Sequence, residues 1–369
     1  MIKPAFLPGF HQLRGIASIW VVLFHVKIYL FPEVHSIWLR PLLRGYLLVD
    51  LFFVLSGFLI GYLYGKYFAE TVSFHTFSIY LKARFARIYP LHLFTLFLLV
   101  SWYALNVWGL GKPREYGRIY VEEAIITHLL MVQAWGIHSG NTWNIPSWSI
   151  STEWAAYLLF PFLWHILYKC GKTGTVVGLT AGIIGYGCLE WLHPKGNLDI
   201  TFDWAVLRGM CGFGIGMALC TFSLRSPQYY FPTPPPSLTK AIFPSFIVIT
   251  LIVMTCSPTD TLVVVLWPFW AWLAYHSSVK MGILRKALTF LGDISFSLYM
   301  IHLPVLYMVP QILGMNDPGQ MGTGSRIGIS VIFVGFVLWA SHHIYHRIER
   351  PSRNWVRTKL GIPAISAFA

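Results

Sequence analysis

The sequence predicts an all-α protein, a polytopic transmembrane helical bundle with about ten membrane-spanning helices. Three observations carry that prediction. Of 369 residues, 56% are hydrophobic and only 11% are charged. Apolar runs of roughly 17 to 25 residues, the length a helix needs to cross a bilayer, recur along the whole chain. The basic residues, which give a net charge of +13, fall between those runs. They orient a membrane protein and do not mark a nucleic-acid partner.

The candidate spans lie near 13–31, 45–65, 88–110, 149–168, 174–191, 204–222, 240–256, 261–279, 287–311 and 326–345. A weaker run, 122–135, opens on Glu122 and Glu123 and is expected to be a re-entrant or interfacial helix. Charge decides this. With that run confined to the outer face and both termini cytoplasmic, eighteen Lys and Arg fall on the cytoplasmic side and eight on the outer side. A full eleventh crossing would invert part of that asymmetry, against the positive-inside rule. The first run lacks a small-residue cleavage site and reads as a retained helix. The chain reads as one membrane domain, 1–369, with a Pro-rich cytoplasmic loop at 226–239 and no appended soluble domain. Five cysteines lie in or beside apolar segments without paired metal-ligand spacing, so neither a disulfide framework nor a metal site is expected.

Topology assigns a depth to each ionisable residue. At about 1.5 Å per residue, the eleven steps from Arg14 to His25 cover roughly 16 Å. Arg14 therefore sits at the cytoplasmic edge and His25 in the outer half. Asp50, Glu153, Arg208 and His302, on four other spans, fall in the same outer layer. Such groups cost several kcal/mol each in a bilayer unless they face one another or water, so the layer is a candidate site. Plainer readings exist for its members. His302 can be a structural hydrogen-bonding residue, and Asp50 with Arg208 a buried ion pair. His25 is the strongest catalytic candidate, because an imidazole titrating near neutrality is suited to taking a proton from a hydroxyl. Gly212 and Gly216 read as close-packing positions. GKT at 171–173 has Ile166 where a phosphate loop needs its first glycine, and no G-x-S-x-G elbow is present.

A basic cluster gathers at the cytoplasmic side: Lys82, Arg84 and Arg87 in KARFARIYP, with Arg14, Arg285, Lys286 and the tail HRIERPSRNWVR. Most of these only obey the positive-inside rule. Arg84 and Arg87, at i, i+3, share a helical face suited to forked contacts with a phosphate-bearing ligand.

Six segments, in order, carry a resemblance: Arg14 and His25 separated by ten residues; DLFFVLSGFLIG; the R-x-x-R of RFARIYP; WSISTE; LGDISFSLYMIHLP; and IERPSR. Together, from residue 13 to about 353, they resemble the acyltransferase-3 family, integral membrane O-acyltransferases of which bacterial polysaccharide O-acetylases are typical. The resemblance implies a protein of the bacterial inner membrane, in contact with membrane lipid. Its activity would be transfer of an acyl group, commonly acetyl, from cytosolic acyl-CoA to a hydroxyl of a carbohydrate acceptor across the membrane. Arg14 and His25 match the first motif, Arg84 and Arg87 the R-x-x-R pair, and Trp148, Ser149, Ser151 and Glu153 the W-S-x-S-x-E segment. Trp154 stands where many relatives have a second acid.

The residues and the resemblance together give an expected mechanism. Arg14, Lys82, Arg84 and Arg87 hold the donor, and His25 takes the acceptor proton. Asp50 fixes the His25 tautomer, and Arg208, Trp148 or Ser151 face the oxyanion. Ser149 or Ser151 would be the nucleophile if an acyl-enzyme forms. Tyr116, Tyr120, Trp135 and Trp143 suit sugar stacking or interface anchoring equally. A proton-coupled transporter would also place titratable groups near the midplane, but the chain has neither internal repeats nor paired broken helices. A non-catalytic scaffold would not explain five polar residues at one depth. Acceptor identity and oligomeric state, a homo-oligomer included, are left open by the sequence.

Overall fold

The computed structural model describes residues 7–111, 119–225, 236–277, 282–312 and 321–362. The long helices are α1 (Pro8–Leu30), α2 (Leu48–Phe68), α3 (Phe74–Ala104), α4 (Trp148–Lys169), α5 (Gly171–Leu192), α6 (Ala205–Arg225), α7 (Pro236–Cys256), α8 (Trp267–His276), α9 (Gly282–Ile312), α10 (Thr323–Ile344) and α11 (Arg350–Lys359). No strand occurs among the described residues. Seven helical segments are long and apolar enough to cross a bilayer. The other three expected spans coincide with α4, whose first turn is polar, and with the shorter apolar stretches Ile242–Cys256 and Thr261–His276. The bundle is therefore the all-α membrane architecture read from the sequence. Most of the Pro-rich stretch, 226–235, lies outside the described residues, and from Pro236 the chain is helical, not loop.

Two helix pairs form the centre, α2 against α6 and α1 against α9, with α4 and α5 packed on α6 and α10 on α9. Glycine makes both pairs possible. A Cβ on Gly57 would lie 2.0 Å from the Phe213 carbonyl oxygen, and one on Gly216 would lie 2.1 Å from that of Val54. On α1, a Cβ on Gly15 would fall 2.7 Å from the Gly292 nitrogen. These backbones touch directly, the close approach that small residues permit between membrane helices.

The 119–147 segment does not cross the bundle. After a six-residue helix, Ala124–Leu129, the chain turns through Met131 at φ 57° and buries Met131 and Ala134 against the start of α4. Two side-chain bonds hold it there: Gln133 Nε2 donates to the Ser147 carbonyl at 3.0 Å, and the Ala134 N–H donates to Ser151 Oγ at 3.1 Å. His128 is fully buried and bonds Thr142 Oγ1 at 2.9 Å, while its carbonyl meets His92 Nε2 at 2.8 Å. Trp143 and Tyr120 are buried together with Tyr103, so these two aromatics are the segment's own core and not an open sugar platform. Trp135 is 40% exposed, and Tyr116 lies outside the described residues.

Two predictions follow from this packing. Gly57→Val forces α2 and α6 apart and is expected to cost about 1–3 kcal/mol, read as a lower melting temperature of the detergent-solubilised protein. Burial pushes the His128 imidazole down to about 3, whereas an unfolded histidine titrates near ~6.5. Below that pH the unfolded chain binds a proton that the folded one refuses, so stability falls as pH drops from 7 toward 4. His128→Gln should make that fall shallower in melts run across the pH range.

Candidate active site

Two cavities lie along the inner faces of α1, α2, α4 and α9. The larger, about 250 Å³, is lined by His25, Trp148, Arg208, Tyr299, His302 and outer-loop residues including Asn141, Lys195, Asp199 and Thr201. The smaller, about 70 Å³, lies toward the Arg14 end and is lined by Arg14, Ser56, Ser149, Glu153, Ser295 and Tyr299. Val49 and Tyr299 line both, so they form the wall between them.

In the larger cavity the tautomers are assigned by their acceptors. His302 is fully buried, and its Nδ1 lies 2.7 Å from the Tyr299 carbonyl oxygen, which can only accept. Nδ1 therefore carries the proton and Nε2 is bare. That bare Nε2 faces His25 Nδ1 at 3.1 Å, and the Val21 carbonyl oxygen faces the same Nδ1 at 2.9 Å. Both partners of His25 Nδ1 are acceptors, so it is the protonated nitrogen. The lone pair of His25 is consequently on Nε2. This atom has no hydrogen-bond partner among the described residues, and it is not sealed in protein. The rings are held at 4.8 Å between centroids. The His25 imidazole is thus oriented by a second histidine and a helical carbonyl, with its bare nitrogen free.

Asp50 does not perform that task, and the expectation that it fixes the His25 tautomer is corrected. Both of its oxygens are spent on Arg208, at 2.9 and 2.6 Å, and Tyr186 donates to Oδ1 at 3.1 Å. Asp50 and Arg208 are both 0% exposed. Arg208 also donates to the carbonyls of Ile200 and Tyr46, each at 3.0 Å, and lies 5.0 Å from the Trp148 ring. Four of its five N–H groups are used, which leaves one on Nη1 beside the cavity. The Trp148 indole N–H has no partner among the described residues, and Trp148 also lines the cavity. Gly212 makes room for this network, since a Cβ there would meet the Tyr186 hydroxyl at 2.5 Å.

The loop over the cavity is held by buried acids. Glu190 accepts from the backbone N–H of Asp260 and Thr261, at 2.7 and 2.8 Å. Asp260 in turn accepts from the Tyr46 hydroxyl at 2.6 Å and the Leu198 N–H at 2.9 Å.

Glu153 belongs to the smaller cavity and not to the His25 layer. Its Oε1 accepts from Ser56 Oγ at 2.6 Å and the Tyr157 hydroxyl at 2.5 Å. Arg14 shares that cavity, and its Nε is buried without a hydrogen-bond partner among the described residues. Ser151 lines neither cavity. Its Oγ accepts from Ala134 and its carbonyl from the Trp135 indole at 3.2 Å, so it anchors the 131–135 turn and faces no oxyanion. Ser149 does line the smaller cavity, where its Oγ donates to the Pro146 carbonyl at 3.1 Å.

Toward the Arg14 end of the bundle, Arg84 is buried, donates to the Tyr64 hydroxyl at 2.8 Å and lies over that ring. Arg87 is ion-paired with buried Glu349, which also accepts from Ser297 Oγ at 2.7 Å. Lys82 is exposed and borders neither cavity. Sequence reasoning missed Ser56, Tyr157, Tyr186 and Tyr299. Their only sequence signal is polarity inside apolar runs, which many structural hydroxyls share. No group of three or more His, Cys, Asp or Glu suited to a metal ion is found among the described residues.

A bundle of apolar helices that encloses an oriented histidine, with polar side chains lining cavities at two depths, fits a membrane-embedded group-transfer enzyme. The comparisons make this specific: the acyltransferase-3 profile, described as an acyltransferase domain, matches residues 7–345, and the chain belongs to that family. It is similar to the acyltransferase MdmB of Streptomyces mycarofaciens, 23% identical with 94% of this chain and 91% of that protein covered. It is also similar to protein 2 in the picA locus of Rhizobium radiobacter, 32% identical over 48% of this chain and 93% of that protein. The O-acetyltransferase OatA of Staphylococcus aureus is 26% identical over 52% of this chain, a match that spans 31% of OatA. No solved structure matches significantly. The protein is therefore a membrane O-acyltransferase, and the transporter and scaffold readings fall away.

Removing one partner of the Asp50–Arg208 pair leaves a buried charge uncompensated. Asp50→Ala is expected to cost about 3–5 kcal/mol, and the Asp50→Leu/Arg208→Met double variant should recover much of that loss in thermal melts.

Proposed function

We propose that this enzyme takes an acyl group, acetyl in the simplest case, from cytosolic acyl-CoA. It passes the group to a hydroxyl of a carbohydrate acceptor on the far side of a bacterial inner membrane. The observation that carries the reading is the unprotonated, unpartnered Nε2 of His25 at a cavity bordered by polar loop residues. The acceptor enters beside Asn141, Lys195, Asp199 and Thr201. The donor enters from the Arg14, Arg84 and Arg87 end, and its pantetheine arm passes Glu153, Ser56 and Tyr299 to bring the thioester to the wall between the cavities.

His25 Nε2 takes the hydroxyl proton as the acceptor oxygen bonds to the thioester carbonyl carbon. The charge that forms on the imidazole is spread through Nδ1–H to His302 Nε2 and the Val21 carbonyl. This is the orienting and stabilising work that a carboxylate performs in a Ser-His-Asp triad. The oxyanion receives the remaining Arg208 N–H and the Trp148 indole N–H. Collapse of the intermediate breaks the carbon–sulfur bond, and the proton held on Nε2 passes to the departing thiolate. The products are the acyl ester and CoA thiol. Coenzyme A itself need not cross the membrane. Similarity to the acyltransferase MdmB and the O-acetyltransferase OatA supports acyl and acetyl transfer.

Purified enzyme with radiolabelled acetyl-CoA and a cell-envelope glycan fraction should release CoA and label the glycan. His25→Ala should remain folded and lose at least about 10²-fold in rate, and normal activity in that variant would reject the scheme. His302→Leu should lower kcat with little change in the donor KM. His302→Gln, whose amide oxygen can still accept from His25 Nδ1–H, should restore part of the loss.

A further inference from the structure

The loop between α5 and α6, residues 193–203, is more than a connector. A surface loop whose ends meet and whose own side chains fill it is a compact unit, and such loops are frequently functional. Here His193 Nε2 meets Asp203 Oδ2 at 3.2 Å and closes the ends. Inside the loop, Leu198 is 0% and Ile200 1% exposed. Backbone bonds to three other segments fix the stretch. The Leu198 N–H donates to Asp260 Oδ2 at 2.9 Å, the Ile200 carbonyl accepts from Arg208 at 3.0 Å, and the Phe202 carbonyl accepts from the Gly136 N–H at 3.1 Å. The alternation that buries 198 and 200 leaves Asp199 and Thr201 half-buried, and both line the larger cavity with His25.

The loop therefore presents a few polar groups on a fixed backbone. Asp199 pairs with Lys195 at 3.8 Å, with side chains 46% and 56% exposed. An exposed pair of this kind is weak, so a ligand competes for Asp199 at little cost. An ionised carboxylate only accepts, and two hydroxyls on neighbouring carbons can donate to its two oxygens in charge-assisted bonds. Thr201 Oγ1 accepts from Asn141 Nδ2 at 2.9 Å and has its own proton to donate. Ile200, between Asp199 and Thr201, is bonded to Arg208, so these side chains stand one residue from a contact of the buried ion pair.

Charge decides which acceptor fits. Among the described residues, the charged groups lining the cavity are Lys195, Asp199 and Arg208, and Arg208 is neutralised by Asp50. His25 and His302 are neutral in the tautomers assigned above. Lys195 and Asp199 cancel. An uncharged ring keeps that balance, whereas a carboxylate or phosphate on the acceptor would bring a second negative charge to Asp199 and leave it uncompensated in a partly dehydrated site.

We propose that the 193–203 loop selects the acceptor and that Asp199 is its specificity-determining residue, accepting from two neighbouring hydroxyls of an uncharged sugar ring while the hydroxyl to be acylated faces His25. The inference rests on the carbohydrate reading above and narrows it to neutral glycan, against glycan that carries uronate or phosphate.

The test uses the full chain in nanodiscs, radiolabelled acetyl-CoA, and cell-envelope glycan split on an anion exchanger into uncharged and acidic fractions. Wild type is expected to label the uncharged fraction in preference. Asp199→Asn and Asp199→Ala, each checked for an unchanged melting temperature, should raise the glycan concentration for half-maximal labelling by about tenfold and about a hundredfold. That is the range spanned by a hydrogen bond to a charged group. The KM for acetyl-CoA should stay at its wild-type value, a split that a residue merely holding the loop would not give. Asp199→Lys should turn the preference toward the acidic fraction. Preferential labelling of the acidic fraction by wild type, or wild-type half-saturation in both Asp199→Asn and Asp199→Ala, overturns the inference and leaves acyl transfer to a carbohydrate standing. CoA release by wild type with neither fraction labelled rejects the carbohydrate reading, and the inference with it.

Discussion

The Asp50–Arg208 pair is the contact on which the rest of the site depends. Its bidentate geometry ties α2 to α6 at the depth where glycines let those helices touch. Further bonds recruit Tyr186 from α5, the Tyr46 carbonyl before α2 and the Ile200 carbonyl of the outer loop, while the Trp148 ring lies alongside the guanidinium. Burying two charges in a membrane protein is costly, and such a pair is weak support for stability by itself. What it provides is placement. The wall of the larger cavity, one free Arg208 N–H and the Trp148 indole are all positioned by it.

The ion pair and the histidine pair are thereby kept separate at one depth. The acid that lies nearest in sequence logic to a catalytic role is saturated by an arginine, and the histidine is oriented by another histidine. A neutral imidazole partner differs from a carboxylate in an important way. It accepts the Nδ1 proton without adding a negative charge to a largely buried region. The cost of holding a full carboxylate beside His25 in a low-dielectric site is avoided. In exchange, an imidazolium at His25 is stabilised less than one in a carboxylate-backed triad.

Much of this was legible in the sequence. Run lengths, charge asymmetry and six ordered motifs located α1 to α10 but not α11, and depth counting put His25 and His302 in one layer, where they touch. The same counting placed Glu153 with them, yet α4 turns it toward Arg14. One-dimensional depth carries no rotational angle about a helix axis, and that angle decides which cavity a side chain enters. The partner of Asp50 was visible as an alternative, but not its exclusivity, because that depends on Tyr186 arriving over Gly212. Ser151 was misread for a related reason: in WSISTE the serines at 149 and 151 are equivalent in type, and only the fold of 131–135 shows that one is spent on backbone.

The central claim is that one path joins the arginine end of the bundle to His25 through the two cavities sharing Val49 and Tyr299. Cryo-electron microscopy of the enzyme with a non-hydrolysable acetyl-CoA analogue tests it most directly. The account predicts the phosphates at the Arg14, Arg84 and Arg87 end, and the acyl carbonyl at the Tyr299 wall, within reach of a hydroxyl hydrogen-bonded to His25 Nε2. An analogue bound with its acyl end away from His25, or entering from the Lys195 side, would contradict it.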